Sequence, residues 1–336
     1  MNVSEYIVDF FEKKGIKDFF GYQGTMIAYF IEAICGNKNV SNHSCYNEQG
    51  AAFAAVGYAK TKGSVGVAYA TSGPGALNLI SGIADAYYDS VPVIFITGQL
   101  NTTEYTEITE LRQQGFQQTD VVSVTSPICK YSVMITNADM VCYELEKAWN
   151  IATSGRPGPV VIDIPMNIQK AEMSQICNNL QQNINDKNID FSPVSDILQM
   201  VSKAKRPVLM LGNGILRKNR DKIKKLVDKL NIPVITSMPG IDLISSSDNR
   251  YMGYLGAAYG FRAANIIAYK KADLILSLGS SMCRRQTGNP DRFAEGAAII
   301  RVDIDSTELL RKVHSDDISY VWDVNEALPA TTTNNH

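Results

Sequence analysis

The feature that most restricts the fold of this chain is an alternation between short, continuously apolar segments and longer helical patterns. In the first half, the apolar segments are DFFGY (18–22), SVGVAYA (64–70), PVIFITG (92–98) and PVVIDIP (159–165). Strands that are apolar throughout are buried on both faces, and the helices between them supply the crossovers that parallel strands need. The first half therefore predicts an open parallel sheet with helices near 26–35, 49–62, 76–88 and 140–153.

The second half repeats this alternation after a change of composition. Residues 177–193, CNNLQQNINDKNIDFSP, are rich in Asn and Gln and poor in core-forming side chains, which predicts a linker. Beyond it, strands are expected at 206–212, 233–237, 273–279 and 298–305, and helices at 194–203, 219–230 and 262–270. The prediction is an α/β protein of two open, doubly wound parallel-sheet domains, at 1–176 and 194–325, with a disordered tail at 326–336.

Composition excludes several classes of function. The formal net charge of −2 provides no basic surface for nucleic acid or anionic membrane, and no apolar run reaches membrane-spanning length. The first residues lack the layout of a signal peptide. Six cysteines without a CxxC pair, and only three histidines, argue against zinc and a disulfide framework and for reduced thiols. We expect a cytoplasmic protein.

Glu48 stands at the head of an unusually alanine-rich helical stretch, YNEQGAAFAAVGYAK (46–60). An acid in a first helical turn is favoured by the helix dipole, which explains many such residues without any function. The helix that follows has small residues on most sides, which predicts close packing all round rather than a solvated face. A carboxylate in that setting is desolvated, and it needs a basic nitrogen or an amide donor from a ligand or partner.

Three glycine-containing or acidic turns follow predicted strands. TSGPGALN (71–78) lies between a strand and a helix, so its amides suit either a ligand or a tight βα turn. LGNG (211–214) suits a nucleotide diphosphate or close helix–strand packing. In IRVDID (300–305), Asp303 and Asp305 suit a ribose hydroxyl or a cap on the helix that starts at Ser306. None of these motifs decides the function alone.

Taken together, these segments resemble the thiamine-diphosphate-dependent enzymes, and among them acetolactate (acetohydroxyacid) synthase. The resemblance covers nearly the whole chain: residues 46–99, LRQQGFQQTDVVSVTSPICKYSVMI (111–135), ATSGRPGPVVIDIP (152–165) and, in the second half, KRPVLMLGNGI, NIPVITSMPG, YLGAAYG, ADLILSLGSS, RRQTG and IIRVDID. It implies a thiamine-diphosphate-binding fold followed by a Rossmann-like central domain. The glutamate helix, TSGPG, TGQ and SGRPGPV form a specific set, whereas each alone is weak.

The resemblance also implies a role for Glu48. In the family, the matching glutamate hydrogen-bonds the N1′ nitrogen of the aminopyrimidine ring, and proton exchange there activates the thiazolium for attack on a 2-oxo acid such as pyruvate. An apolar wall keeps this acid–nitrogen pair dry. Other cofactor-binding positions implied by the match are Gly24, Thr25, Thr71, Pro74, Gly75, Asn78 and Gln99.

Further positions match the family one by one. Phe116, Gln117 and Lys130 match residues that line the substrate or flavin channel. Positions that hold FAD in acetolactate synthases are matched by Gly212, Gly214, Gly256, Arg285, Gly288 and Asp303. Many relatives have lost this nucleotide, so FAD stays open. The loop GYQGT departs from the family pattern at Gln23, where the family has proline, and at Thr25, where it has a second glycine, which leaves the acceptor substrate open.

One family motif does not occur. The Gly-Asp-Gly that holds the diphosphate through Mg²⁺ is absent from the sequence, and no other residues obviously replace it. We therefore expect a diphosphate-binding domain in trans or downstream, a homo-oligomer formed through the pyrimidine domain, and no turnover by this chain alone. A non-catalytic assembly subunit, a relative with another acceptor such as one in surface-sugar biosynthesis, and a nucleotide-binding oxidoreductase remain alternatives.

Overall fold

A computed structural model describes residues 1–108, 110–173 and 190–333, with the side chains of the last helix described as far as Leu328. The chain forms two compact units, and the division between them falls inside residues 174–189, which lie outside the described range. Most of the predicted linker, 177–189, is among those residues. Among the helices that are described, none is both long and apolar enough to cross a membrane.

The first unit is a six-stranded, wholly parallel sheet in the order β2-β1-β3-β4-β6-β5. Its strands are β1 Asp18–Gly21, β2 Ser41–Ser44, β3 Gly66–Ala70, β4 Val93–Gln99, β5 Tyr131–Met134 and β6 Val160–Pro165. Its helices are α1 Val3–Lys13, α2 Ala28–Gly36, α3 Glu48–Lys62, α4 Pro74–Asn78, α5 Ile80–Tyr88, α6 Val121–Thr125, α7 Val141–Thr153 and α8 Met166–Gln169. Strands β3, β4 and β6 are buried along their whole length, as apolar central strands must be.

The second unit is another six-stranded parallel sheet, in the order β12-β11-β10-β7-β8-β9. Its strands are β7 Pro207–Leu211, β8 Val234–Thr236, β9 Tyr251–Tyr254, β10 Leu274–Leu278, β11 Ala298–Asp303 and β12 Ile318–Val321. Its helices are α9 Val194–Lys203, α10 Arg220–Leu230, α11 Arg262–Ile266 with a π-helical turn Ile267–Lys271, α12 Arg284–Thr287, α13 Ser306–Leu310 and α14 Val324–Thr333. The prediction of two doubly wound parallel-sheet domains is confirmed.

The strands that the sequence did not predict are the ones near or at the sheet edges. They are β2, β5, β9 and β12, whose burial is partial and whose residues are mixed, as in SNHS and ISYV. An edge or near-edge strand needs less apolar surface than a central one, so the apolar-run signal on which the prediction depended is missing there.

Two further predictions are corrected by the structure. The disordered tail is wrong for most of its length, since α14 runs to Thr333, and residues 334–336 lie outside the described range. The expectation of reduced thiols is also wrong for Cys142, which is in a disulfide bond. The other described cysteines, Cys35, Cys45, Cys129 and Cys283, are free thiols.

Helix α3 packs closely on one side only. Its inner face buries Ala51, Ala52, Ala55, Val56 and Ala59 against the sheet and α5. The small residues are needed there: a Cβ on Gly82 of α5 would lie 2.3 Å from the Cβ of Ala52. The outer face leaves Phe53 and Gly57 exposed, so the prediction of close packing all round is not met within this chain.

Candidate active site

The order of the strands brings three loops together at the carboxyl ends of the strands in the first sheet. The chain passes from β2 over β1 to β3, so the direction of winding changes between β1 and β3. In open α/β sheets, ligands bind outside the carboxyl ends of the strands at such a point. The loops that leave β1, β2 and β3 there are residues 22–27, 45–47 and 71–73.

Glu48 lies in the first turn of α3, beside this point. The side chain of Asn47 caps the helix by accepting a hydrogen bond from the Gly50 amide at 2.7 Å. Glu48 is only 8% exposed, and Asn78 Nδ2 donates to its Oε2 at 3.0 Å. The other oxygen, Oε1, has no donor among the described residues, and a Cβ on Gly75 would lie 3.2 Å from it. One oxygen is therefore anchored by the chain, and the other is open to a ligand.

The TSGPG turn supports this carboxylate from the end of β3. Gly73 has a φ of +60°, which favours glycine, and Pro74 begins the short helix α4 that carries Asn78. The hydroxyl of Ser72 is buried and has no hydrogen-bond partner within the described part of the chain. Such a hydroxyl is uncommon in a protein interior and suits a ligand that supplies the missing bond.

The GYQGT loop packs directly onto the TSGPG turn. The Met26 amide donates to Thr71 Oγ1 at 3.2 Å, and a Cβ on Gly24 would lie 2.4 Å from the Cβ of Thr71. Only glycine at position 24 permits this approach. Thr25 begins the next helical turn and its side chain is exposed. The structure thus brings the predicted residues Gly24, Thr71, Gly75 and Asn78 to one place around Glu48.

Gln117 reaches the same turn from a distant part of the sequence. Its φ of +62° is rare for a residue with a side chain, and its carbonyl oxygen lies 2.4 Å from the place that a Cβ on Gly73 would take. The neighbouring Phe116 is 77% exposed. A large exposed aromatic ring next to a strained residue is consistent with the predicted role of both in lining the site.

Two predicted site residues make bonds within the chain instead. The side chain of Gln99 is buried, with Nε2 donating to the Thr119 carbonyl and to Asp163, and Oε1 accepting from the Leu100 amide. Lys130 Nζ donates to the carbonyls of Ile151 and Ser154 at the end of α7. Burial lowers the pKa of Lys130 to about 8. The predicted contacts of Gln99 with cofactor and of Lys130 with substrate stay predictions.

Sequence reasoning missed a buried carboxyl group close to these residues. Asp163 accepts hydrogen bonds from Thr97 Oγ1 at 2.6 Å and from Gln99 Nε2 at 2.9 Å. Burial raises the pKa of Asp163 to about 7, against the lowering effect of these bonds. A signal was present in the sequence, since PVVIDIP and IFITGQ each place a polar side chain inside an otherwise apolar strand.

In the second unit, the predicted nucleotide-binding residues all follow carboxyl ends of strands. Gly212 and Gly214, after β7, pack against the loop after β10: a Cβ on Gly212 would lie 2.0 Å from the Gly279 oxygen. Gly256 follows β9, and both its amide and its carbonyl are hydrogen-bonded to the side chain of Asn265. The Arg285 guanidinium lies 5.4 Å from the centre of the Tyr259 ring.

The remaining two residues of this group, Gly288 and Asp303, lie on the same side of the second sheet, at the carboxyl ends of its strands. Gly288, with φ +64°, ends α12. Asp303 ends β11 and accepts from the Asp305 amide at 3.0 Å, while Asp305 caps α13 by accepting from the Thr307 amide. Of the two interpretations of IRVDID, capping is thus confirmed for Asp305.

Comparison with known families gives matches to both units. Residues 1–124 match the model of the thiamine pyrophosphate enzyme N-terminal TPP binding domain, and residues 194–331 match that of the thiamine pyrophosphate enzyme central domain.

Individual proteins match over nearly the whole chain. The chain is 33% identical to the acetolactate synthase isozyme 2 large subunit of Escherichia coli K12, over 98% of this chain and 58% of that protein. It is 34% identical to the acetolactate synthase large subunit of Lactococcus lactis, over 97% and 56%, and 36% identical to acetolactate synthase 1 of Zea mays, over 97% and 50%. The chain therefore spans between half and three fifths of the length of these relatives.

The contact between the two loops beside Glu48 can be tested with Thr71→Val. Valine keeps the shape but leaves the Met26 amide without its acceptor, which costs on the order of 1 kcal/mol. Hydrogen exchange of the Met26 amide should therefore become about fivefold faster, as measured by NMR or by mass spectrometry of peptides over 22–27. Thr71→Ser keeps the acceptor and should exchange like the unchanged protein. Equal rates in all three would contradict the contact.

Proposed function

Because this chain belongs to the thiamine pyrophosphate enzyme family, we propose that it supplies the pyrimidine-side half of an acetolactate synthase-like active site. The substrate class is a 2-oxo acid such as pyruvate, and the reaction is carbon–carbon lyase or transferase chemistry. The product named by the relatives would place the reaction in branched-chain amino acid biosynthesis.

The observation that carries this proposal is the asymmetric setting of Glu48. Asn78 holds one carboxylate oxygen, and the other lies beside Gly75 and accepts no hydrogen bond from the described residues. A ring nitrogen placed beside Oε1 can share a proton with it while Oε2 stays anchored. Glycine at position 75 is needed for this arrangement, because a Cβ there would lie 3.2 Å from Oε1 and 2.7 Å from the methyl carbon of Thr71.

Thiamine diphosphate, when bound, would supply the electron sink for breaking the bond beside the carbonyl of the 2-oxo acid. The chain's own residues hold and move a proton at Glu48 Oε1 and orient this carboxylate through Asn78. Phe116 and Gln117 would border the substrate. The buried hydroxyl of Ser72 would donate to the bound ring or to its substituent.

The other end of the cofactor needs different residues. Mg²⁺ takes oxygen ligands, usually one or two carboxylates together with phosphates. Among the described residues there is no group of three or more His, Cys, Asp or Glu side chains that could hold a metal ion. We therefore propose that Mg²⁺ and the diphosphate are bound by a diphosphate-binding domain, either downstream or in another chain.

The catalytic role of Glu48 is tested by Glu48→Gln in the enzyme assembled with its diphosphate-binding domain. The glutamine oxygen still accepts the Asn78 hydrogen bond, so the fold should be unchanged, but the side chain cannot exchange a proton. We expect kcat/KM for pyruvate decarboxylation to fall about 10²-fold or more, with an unchanged melting temperature. Unchanged activity would contradict catalysis and favour an assembly subunit.

A second copy of this chain is the partner that we propose for the outer face of α3 and α5. Phe53 is 44% and Tyr88 69% exposed there. Gly57, one turn after Phe53 on α3, is also exposed, and a Cβ there would meet nothing within 4 Å. A glycine in the middle of an exposed helix costs roughly 0.5–1 kcal/mol relative to alanine, and nothing inside this chain requires it. A helix of an identical subunit that approaches closely would use both the glycine and the aromatic rings.

This interface predicts that Phe53→Lys prevents self-association. We expect the unchanged chain to sediment at a multiple of 36.9 kDa and the variant to sediment as a monomer with an unchanged melting temperature. Leu310→Lys replaces a more exposed apolar residue in the second unit, 78% exposed against 44% for Phe53, and should leave the mass unchanged. A monomeric parent chain at micromolar concentration would contradict the proposal.

A flavin on the second unit is supported by the grouping of its six predicted residues at one edge of the sheet and by Ser237. The hydroxyl of Ser237, just after β8, is buried and unpartnered among the described residues. We expect FAD, added during refolding or assembly, to copurify and to give the visible absorption of a bound flavin. Its complete removal by gel filtration would contradict this part of the proposal.

A further inference from the structure

A short stretch of the first unit, residues 113–120, carries Phe116 and Gln117 and is folded on itself. The side chain of Gln113 donates to the Gln118 carbonyl at 3.1 Å, and the Gln114 amide donates to Gln118 Oε1 at 3.2 Å. The Gln118 amide closes the turn by donating to the Gly115 carbonyl at 3.1 Å. These bonds hold the stretch in one compact turn, and its position depends on the contacts that attach this turn to the rest of the unit.

One attachment is the side chain of Gln99, at the end of β4. Its Nε2 donates to the Thr119 carbonyl at 3.0 Å, and its Oε1 accepts from the Leu100 amide at 3.0 Å. Its Nε2 also donates to Asp163 at 2.9 Å. Asp163 therefore acts together with the Thr119 carbonyl and the Leu100 amide to fix which way the amide of Gln99 points, because its carboxyl oxygen accepts from the nitrogen of that amide.

Asp163 is enclosed by the sheet. It is 1% exposed and stands in register with Thr97 on β4 and Met134 on β5. Thr97 Oγ1 donates to its Oδ1 at 2.6 Å, and the two bonds from Thr97 and Gln99 connect both carboxyl oxygens to the end of β4. Glu48 and its partners form no hydrogen bond with this carboxyl group among the described residues, so it is a separate ionisable group.

We propose that Asp163 is a positioning residue for the active site, which through Gln99 holds residues 113–120 against the TSGPG turn and takes up a proton when they close. The relevance to substrate rests on the proposed function, because Phe116 and Gln117 are the residues so placed. The attachment itself rests only on the hydrogen bonds just described.

The ionisable neighbours of Asp163 are Asp120 and Tyr105. Burial is the main reason that the pKa of Asp163 is raised to about 7, and the negative charge of Asp120 raises it further. Burial, and then the charge of Asp163, raise the pKa of Tyr105 to about 12, so this phenol stays neutral wherever Asp163 titrates. The hydrogen bonds from Thr97 and Gln99 act in the opposite direction by stabilising the carboxylate.

The sign of the pH effect follows from these directions. When residues 113–120 lift away and Asp163 meets water, its pKa returns toward about 4, the ordinary value for aspartate. The closed state therefore binds the proton more tightly than the open state. Closure is strongest at acid pH and is progressively lost as the pH rises from about 4 to about 7.

Hydrogen exchange of the whole chain tests this. After correction for intrinsic exchange rates, protection of the Leu100 amide and of peptides over 113–120 should fall about tenfold or more between pH 5 and pH 8. Peptides over α7 serve as the internal control and should show no such transition. A protection profile over 113–120 that is flat with pH, or one that matches α7, would overturn the proposal.

Two variants separate positioning from a general loss of structure. Asp163→Asn should remove the pH transition and keep protection over 113–120 near its acid-pH level at every pH, because a neutral amide replaces the neutral acid and its oxygen still accepts from Gln99. Thr97→Val removes a bond that stabilises the carboxylate, so the transition should move to higher pH, and Thr97→Ser should restore the original midpoint. A transition that persists in Asp163→Asn, or that does not move in Thr97→Val, would overturn the proposal.

Failure of the proposed function is distinguishable from failure of this inference. Glu48→Gln should leave the exchange transition in place, whatever happens to catalysis. In the assembled enzyme, Asp163→Asn should keep KM for the 2-oxo acid near its acid-pH value and flatten its pH dependence between about pH 4 and about pH 7. A normal KM profile in that variant, together with an exchange transition that it abolishes, would contradict the role at the site but not that of Glu48.

Discussion

The hydrogen bond from Asn78 to Glu48 is the interaction on which the candidate site depends. A carboxylate that is almost fully buried is costly unless donors and a favourable dipole surround it. Here the first turn of α3 favours the negative charge, and one amide, carried by the helix after the TSGPG turn, fixes one of its two oxygens. The other oxygen keeps its capacity to accept or share a proton. A fully satisfied carboxylate would be a structural group only, and a fully unsatisfied one would not stay buried.

Close approach of backbones explains how this geometry is maintained. At three glycines, an added Cβ would come too close to a neighbouring residue. Gly24 lies against Thr71 in this way, Gly73 against Gln117, and Gly75 against Glu48. Three loops that are far apart in sequence are thereby pressed into one wall of the site. The second unit uses the same device where Gly212 meets Gly279. In that unit, the glycine motif is explained by loop–loop packing whether or not a nucleotide is bound.

The two ends of residues 113–120 illustrate how a buried group can act at a distance. Gln117 touches the turn beside Glu48, while Thr119 is attached through Gln99 to Asp163. Burial raises the pKa of Asp163. Protonation of this carboxyl group is therefore thermodynamically linked to the closure of the residues that bury it. A carboxyl group with no part in bond making can therefore influence how the substrate side of the site is held.

The sequence by itself determined the two parallel sheets and the place of every strand that is not at an edge, and it identified Glu48 as the candidate residue. Continuous apolar runs and an acid before an alanine-rich helix are local signals, and burial on both faces leaves few alternatives for them. The edge strands SNHS and ISYV, the helix over 324–333 and the exposed outer face of α3 were not predicted, since their stability comes from neighbours rather than from their own pattern. Only the tertiary structure decided that Gln99 faces Asp163 and Thr119, that Lys130 caps α7, and that Gln117 reaches the TSGPG turn. Those contacts join residues separated by tens of positions. The crossover connections between parallel strands bring them within hydrogen-bonding distance, and no local pattern encodes those connections.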